Sequence, residues 1–337
     1  MNPKERFDLI TRNLQEVIGE DELKRKLKSK KEFSVYWGTT PTGGISIAYF
    51  FPMLKVADLL RAGCRVKILL ADLHAALDST PWKDLEKRYE YYKEAIITIL
   101  KTIGVPISKL EFVKGKDMQL NEKYQFDLLK LSTISSVRDS TRAASDVVKM
   151  GDKPKLSGLL YPLMQALDEE YLKVDAQLGG NDQRKIMVYS REILPKIGYE
   201  RRIELLTPII RGLVGEKMSS SVDSSKIDLM DDEKIVSKKM NKADCIAGDS
   251  NNGVMALLEY FIFRIKEDKG EKFIIKRDKK YGGDLEYKSY KDIEKDFKEK
   301  KLHPLDLKNG TAEEINKILE NFRNNSKLKK LHKIAYS

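Results

Sequence analysis

The order of apolar and polar positions predicts alternating strands and helices over the first two thirds of the chain. Phe33-Ser34-Val35-Tyr36-Trp37 is a short β-rich run that ends in the turn-rich loop Gly38-Thr39-Thr40-Pro41-Thr42-Gly43-Gly44. From Ile45 to Ala62 apolar residues recur at helical spacing, with Gly63 placed to stop the helix. Arg65 to Leu70 reads as a second strand. Strand, glycine loop, helix and strand form a βαβ unit, which implies a parallel sheet. Trp82 to Ile103 reads as a helix, Leu110-Glu111-Phe112-Val113 as a strand, and 122–172 as mainly helical. Val174 to Leu178 is again strand-like, followed by Gly179-Gly180-Asn181-Asp182 and a helix through Leu194. Phe7, Ile10, Leu14 and Val17 predict an N-terminal amphipathic helix. After Asp228-Leu229 the pattern becomes charged helices with little strand character. The expected class is α/β. A Rossmann-like doubly wound parallel sheet occupies 1–228, and a mainly α-helical domain follows over 229–337.

Composition narrows the class. The 337 residues suffice for two domains, and 41% apolar content suits a soluble globular chain. No apolar run approaches the roughly 20 residues that span a bilayer, so no membrane partner is expected. The N-terminus mixes Lys4, Arg6 and Arg12 with Glu5, Asp8 and Glu16 and reads as neither a secretory nor a transit signal. Cys64 and Cys245 provide no disulfide framework and no metal-ligand cluster. Both are expected to be buried thiols of a reducing compartment. The net charge of +11 fits either a lysine-rich solvated surface or a polyanionic partner. Lysines clustered late in the chain, among them Lys276, Lys279, Lys280, Lys329 and Lys330, favour nucleic acid.

Four segments carry candidate chemistry. Gly215-Glu216-Lys217-Met218-Ser219-Ser220-Ser221 puts a lysine at the head of a small polar loop that could close over a triphosphate. A flexible linker is the plainer alternative. The loop from Gly38 to Gly44 joins a strand to a helix, where phosphate is readily bound, or is an ordinary turn. It carries no Walker lysine. Tyr161, Gln165 and Asp168, at i, i+4 and i+7, place a phenol, an amide and a carboxylate on one helix face, with Pro162 suited to start that helix. The face is either a pocket wall or a solvated stripe. Gly179-Gly180-Asn181-Asp182-Gln183 sits at a strand's carboxyl end. There a carboxylate can accept ribose hydroxyls, or Asn181 or Asp182 can simply cap the next helix.

Taken together, these segments resemble the class I tyrosyl-tRNA synthetases of the archaeal and eukaryotic kind over nearly the whole chain. Val35-Tyr36-Trp37-Gly38-Thr39, Ala71-Asp72-Leu73-His74-Ala75, Leu159-Leu160-Tyr161-Pro162, Gln165 to Tyr171, the Gly-Gly-Asn-Asp-Gln turn, Lys-Met-Ser-Ser-Ser and His303-Pro304-Leu305-Asp306 occur in that family's order. The resemblance implies a tyrosine pocket of Tyr36, Tyr161, Gln165, Asp168 and Gln183, with Tyr36 and Asp168 on the substrate phenol. It implies ATP contacts at Gly38, Thr42, Gly43, Ser46, Gly180, Asp182 and Lys217. Catalytic groups would be Lys217, Ser46, Tyr49, Ser219, Ser220 and Ser221. Contacts to tRNA(Tyr) would come from Arg184, Lys185, Tyr281 and Asp306. ATP is implied as a substrate with Mg2+ accompanying it, without a protein-ligated metal. A cytoplasmic homodimer is implied, paired through a helical insertion within 115–165, with no appended module after the anticodon-binding domain. The chain departs from the family pattern at Ser46-Ile47-Ala48-Tyr49, where serine replaces the first histidine of the H-I-G-H signature. Two other readings are a tryptophanyl-tRNA synthetase and a catalytically weak relative that binds tRNA. The Tyr36/Asp168 pair and the third serine of the loop weigh against the first, and Lys217 with the intact pocket against the second.

Overall fold

The computed structural model describes residues 1–29, 32–148, 151–215 and 223–337. Among them a six-stranded sheet is built from β1 (Glu16–Ile18), β2 (Ser34–Thr39), β3 (Arg65–Leu70), β4 (Leu110–Lys114), β5 (Ala176–Gly180) and β6 (Ile203–Thr207). The order is β1-β6-β5-β2-β3-β4, and every pairing is parallel except β1 with β6. Strand β2 therefore pairs with β3 on one side and β5 on the other. The winding reverses between β2 and β5, and a crevice opens at the carboxyl ends of such strands.

The sheet is doubly wound. Val35 and Trp37 of β2 join the core formed with helices Phe50–Arg61 and Leu85–Ile103, whereas Tyr36 joins a separate apolar cluster with Leu69, Ala71, Leu172 and Val174. Period-two alternation thus sends the Tyr36 ring to the opposite side of the sheet from its neighbours. On that other side the helices Glu122–Ile134, Val137–Ala144, Leu156–Tyr171 and Arg184–Ile193 pack into a core of their own.

Beyond residue 228 come mainly helices, including Glu233–Lys242, Phe263–Lys269, Tyr290–Lys298, Pro304–Arg323 and Ser326–Ala335. Phe50 packs on Phe261 and Phe322 with centroids 4.5 and 5.8 Å apart, so the sheet's first core continues into these helices. At the Gly253 Cα the chain passes so close to Gly212 that a Cβ would lie 2.0 Å from its carbonyl oxygen. The last helix lies along Leu85–Ile103, and the Tyr336 hydroxyl donates to the Gly43 carbonyl.

Three local expectations are corrected, and one short strand pair is added to the mainly helical C-terminal part. The N-terminal helix ends at Thr11. Val17 instead lies in β1, an edge strand too short to show a period. Pro162 lies inside Leu156–Tyr171 rather than at its start. Proline forfeits one hydrogen bond there, to the Gly158 carbonyl, at a buried position of the helix. The C-terminal part holds an antiparallel pair, β7 (Phe273–Ile275) and β8 (Leu285–Tyr287). Cys64 is buried as expected, but Cys245 is only half-buried.

Candidate active site

A cavity of about 250 Å³ opens at the switch between β2 and β5. Its walls come from the ends of β2 (Tyr36, Trp37, Gly38, Thr39), from β5 and its turn (Gln177 to Gly180, Asp182, Gln183), from His74, and from Tyr161, Gln165 and Asp168. The polar stripe of helix Leu156–Tyr171 therefore faces a pocket rather than solvent. Tyr161, Gln165 and Asp168 are all buried, and Gln165 Nε2 donates to Gln183 Oε1 at 3.3 Å. A Cβ at Gly180 would stand 2.6 Å from Asp182 Oδ1, so a side chain there would displace that carboxylate.

The floor is a buried hydrogen-bond network. Asp168 Oδ1 accepts from Tyr124 Oη and Gln119 Nε2, both at 2.9 Å, and Oδ2 accepts from Gln119 Nε2 at 3.1 Å. Burial still dominates. It pushes the Asp168 carboxyl up to about 7, while the Gln119 and Tyr124 donors pull in the opposite sense. Burial likewise drives His74 down to about 4, so its imidazole is neutral at pH 7. The Tyr36 hydroxyl is buried without a partner, and its ionisation is opposed by burial and by Glu169, Asp168 and Glu204. Tyr36, Gln177 and Glu204 are successive partners across β2, β5 and β6, forming a polar rung through an otherwise apolar sheet.

The remaining expected site residues lie off these walls. Ser46 is buried and accepts from the Ala48 N–H at 3.3 Å, capping the short turn Ile47–Tyr49. Tyr49 bonds Thr39 Oγ1 at 2.9 Å and so reaches the cavity through Thr39. The carbonyl of Thr42 accepts from Arg88, and that of Gly43 from Tyr92 at 2.7 Å. A Cβ at Gly43 would meet nothing within 4 Å, so the protein's own packing does not require glycine there. Arg184 grips Glu16 with two bonds of 2.6 and 2.9 Å, and Lys185 reaches Asp146 at 2.7 Å. Lys217, Ser219, Ser220 and Ser221 lie outside the described residues.

Tyr281 and Asp306 stand far along the chain but close to one another's surroundings. Tyr281 ends the turn Lys279–Tyr281 and is 64% exposed, with Lys280 Nζ 4.9 Å above its ring. Gly282 and Gly283 adopt φ of +97° and +75°, which a side chain would strain. Arg277 donates to the Gly283 carbonyl at 3.0 Å and approaches Asp306 at 3.8 Å. The cap of helix Pro304–Arg323 is His303, which leaves Asp306 in its first turn.

Sequence reasoning passed over Gln119, Tyr124, His74, Gln177 and Thr39 as site residues. A signal existed for Gln177, a polar residue inside a buried parallel strand. Gln119 and Tyr124 gave none, since each sits in a helix whose pattern resembles that of any other.

The crevice at the switch point, with its nucleotide-sized turn and polar floor, defines the class: this is the fold of the class I aminoacyl-tRNA synthetases. A family model described as tRNA synthetases class I (W and Y) matches residues 28–320. The cytoplasmic tyrosine--tRNA ligase of Gallus gallus is 49% identical over 340 residues, covering 99% of this chain and 64% of that protein. That of Saccharomyces cerevisiae is 48% identical over 332 residues, covering 96% of this chain and 84% of that one. A tyrosyl-tRNA synthetase from Archaeoglobus fulgidus, crystallised with L-tyrosine, matches with a TM-score of 0.88 at 37% identity, covering 96% of this chain and 99% of its own. The chain belongs to the class I tRNA synthetase family for tryptophan and tyrosine, on its tyrosine--tRNA ligase side. It spans 64% of the length of the chicken relative.

Proposed function

We propose that the chain joins L-tyrosine to tRNA(Tyr) in the cytoplasm, the compartment named for its chicken and yeast relatives. The observation that carries this reading is the cavity floor, where a buried carboxylate, Asp168, and an unpartnered buried phenol, Tyr36, face the same space. A substrate hydroxyl satisfies both. Phenylalanine would leave the Tyr36 hydroxyl orphaned and the spare acceptor capacity of Asp168 unused, and rejection by tyrosyl enzymes is the reference example of that penalty. Tyr161, Gln165 and Gln183 then hold the ammonium and ring. Gly38, Thr42, Gly43, Ser46, Gly180 and Asp182 receive ATP, with Mg2+ arriving on its phosphates as part of the substrate.

The tyrosine carboxylate attacks the α-phosphate in line and pyrophosphate leaves. The adenylate then passes its tyrosyl group to the terminal adenosine of the tRNA. Neither step needs a protein nucleophile, because positioning and charge stabilisation supply the acceleration. In this scheme Lys217 and Ser219–Ser221 stabilise the phosphate charge, and Ser46 and Tyr49 frame the nucleotide loop. Arg184 and Lys185 meet the acceptor end, and Tyr281 and Asp306 read an unpaired base. We assign 1–228 to catalysis and 229–337 to the anticodon.

A homodimer fits as well. Leu120, Phe126, Leu129, Val137 and Leu156, all more than half exposed, give the helical insertion an apolar outer face. The test of the whole reading is the amino-acid dependence of ATP–pyrophosphate exchange. Tyrosine should drive it. Exchange with tryptophan alone would select the sister enzyme, and none with any amino acid would select a tRNA-binding relative.

A further inference from the structure

The Gln119 side chain stands behind the cavity, between two groups that line it. Its Nε2 lies 2.9 and 3.1 Å from the oxygens of Asp168 and 3.1 Å from His74 Nδ1. Both Asp168 oxygens are acceptors, so exchanging the amide's N and O would set an oxygen against a carboxylate. The amide orientation is thereby settled. Its two hydrogens are then both engaged, one on Asp168 and one on His74. The imidazole must accept at Nδ1, and its proton therefore sits on Nε2. That nitrogen lies within 3.8 Å of Asp168 Oδ2 and beside the main chain of Tyr161, whose hydrogen bonding opposes the burial that lowers this imidazole. On the carboxylate, Oδ1 takes Tyr124 and Gln119 while Oδ2 takes Gln119 alone. Spare acceptor capacity thus remains on Oδ2.

We infer that Gln119 is a positioning residue for tyrosine recognition, whose one amide fixes both the rotamer of Asp168 and the tautomer of His74. It leaves Oδ2 to accept the para hydroxyl and the His74 Nε2–H as a second donor at the floor. The inference rests on the tyrosine reading of the cavity. A protonated Asp168 cannot accept that hydroxyl in the same way, so tyrosine affinity should fall as pH drops below about 7, the value to which burial lifts this carboxyl. The groups facing Asp168 are Tyr36 from β2, His74 from helix Asp72–Leu77, Tyr124 from helix Glu122–Ile134, and Tyr161 and Glu169 from its own helix. Among these only His74, driven down to about 4, and Glu169, pushed up by burial, titrate anywhere near that window.

The experiment compares the full chain with Gln119→Met and Tyr124→Phe. Exchange is measured with tyrosine and with phenylalanine between pH 5.5 and 8.5, together with ¹⁵N spectra of the imidazoles. The chain has three histidines, so the His74 signals can be assigned by elimination. Either variant should raise the tyrosine KM roughly ten- to hundredfold, the scale of one hydrogen bond to a charged group, with a smaller change in kcat. The phenylalanine KM should hold, and the acid limb of the tyrosine profile should move to higher pH. The imidazole should appear as the neutral Nε2–H tautomer down to about pH 5 and become a mixture in Gln119→Met. Equal losses for both amino acids, an unmoved acid limb, or a His74 that carries its proton on Nδ1 would overturn the inference. If the wild-type chain showed no tyrosine-dependent exchange, the proposed function would fall, and the imidazole spectra would still decide the network.

Discussion

The amino-acid cavity and the turn around Tyr281 handle polar recognition in opposite ways. In the cavity, Asp168 and His74 are almost wholly enclosed, and each is held by a neighbour chosen for one hydrogen bond. At the turn, Tyr281 is 64% exposed, and Arg277 approaches Asp306 at 3.8 Å with both side chains only partly buried. The enclosed site gains its selectivity from the penalty of leaving a buried group unpaired, a cost solvent cannot relieve. The open site has no such lever. It must rely on stacking, on charge drawn from lysines and on a fixed backbone, and water competes for each contact. A substitution should therefore cost discrimination in the first region and affinity in the second.

The largest effect is expected at Asp168. Asp168→Ala removes the acceptor for the para hydroxyl and leaves Tyr124 only the Met164 carbonyl and Gln119 only His74 as partners. The ratio of kcat/KM for tyrosine over phenylalanine should fall by at least roughly 10²-fold. Pyrophosphate exchange with both amino acids measures it. An unchanged ratio would take Asp168 out of recognition, and with it the enclosed half of the contrast.

Tyr281→Ala should weaken charging of tRNA by about 1–3 kcal/mol, the range for one stacked base, while exchange without tRNA is unaltered. Asp306→Ala comes next. Its contact with Arg277 is, at 3.8 Å, too long for a hydrogen bond, so the melting temperature should hardly move. Charging should still fall, by roughly tenfold or less, if the carboxylate reads a base edge. Loss of exchange and charging in equal proportion would point to folding in either variant and erase the distinction between the two regions.

The same contrast explains what could be read from the chain alone. The strands β2, β3 and β4 and the helices between them follow from apolar period and punctuation, because each is long and flanked by glycine, proline or charge. The pocket-facing stripe at Tyr161, Gln165 and Asp168 was visible as spacing, although whether it faced solvent or a cavity depended on β2 and β5, which pack against it through tertiary contacts. Gln119 and Tyr124 could not be read. Their importance comes from contacts with Asp168 more than forty positions away. Edge strand β1 and the pair β7 and β8, three residues each, are too short for alternation to register. Pro162 misled because proline suits a helix's first turn, whereas this helix starts at Leu156 and carries the proline in its buried interior.

Glu204 tests what the enclosed region costs, in stability rather than in activity. Its carboxyl oxygens are buried without a hydrogen-bond partner, and burial together with Glu169 pushes its pKa well above the usual carboxylate range. The folded state therefore holds a proton that the unfolded chain releases near pH 4. Stability from this group is fully present below that value and is lost as pH rises toward the folded pKa. Glu204→Gln keeps the shape and removes the titration. Relative to the wild-type chain, its unfolding free energy should gain about 1–3 kcal/mol between pH 5 and pH 8, read from urea midpoints at each pH. His74 contributes in the opposite sense below about pH 6.5, since its neutral form is the one that folds, but it is common to both proteins and cancels in the difference. If Glu204→Gln ran parallel to the wild-type curve, the rung beneath the cavity would be solvated in solution, and enclosure would no longer separate the two regions.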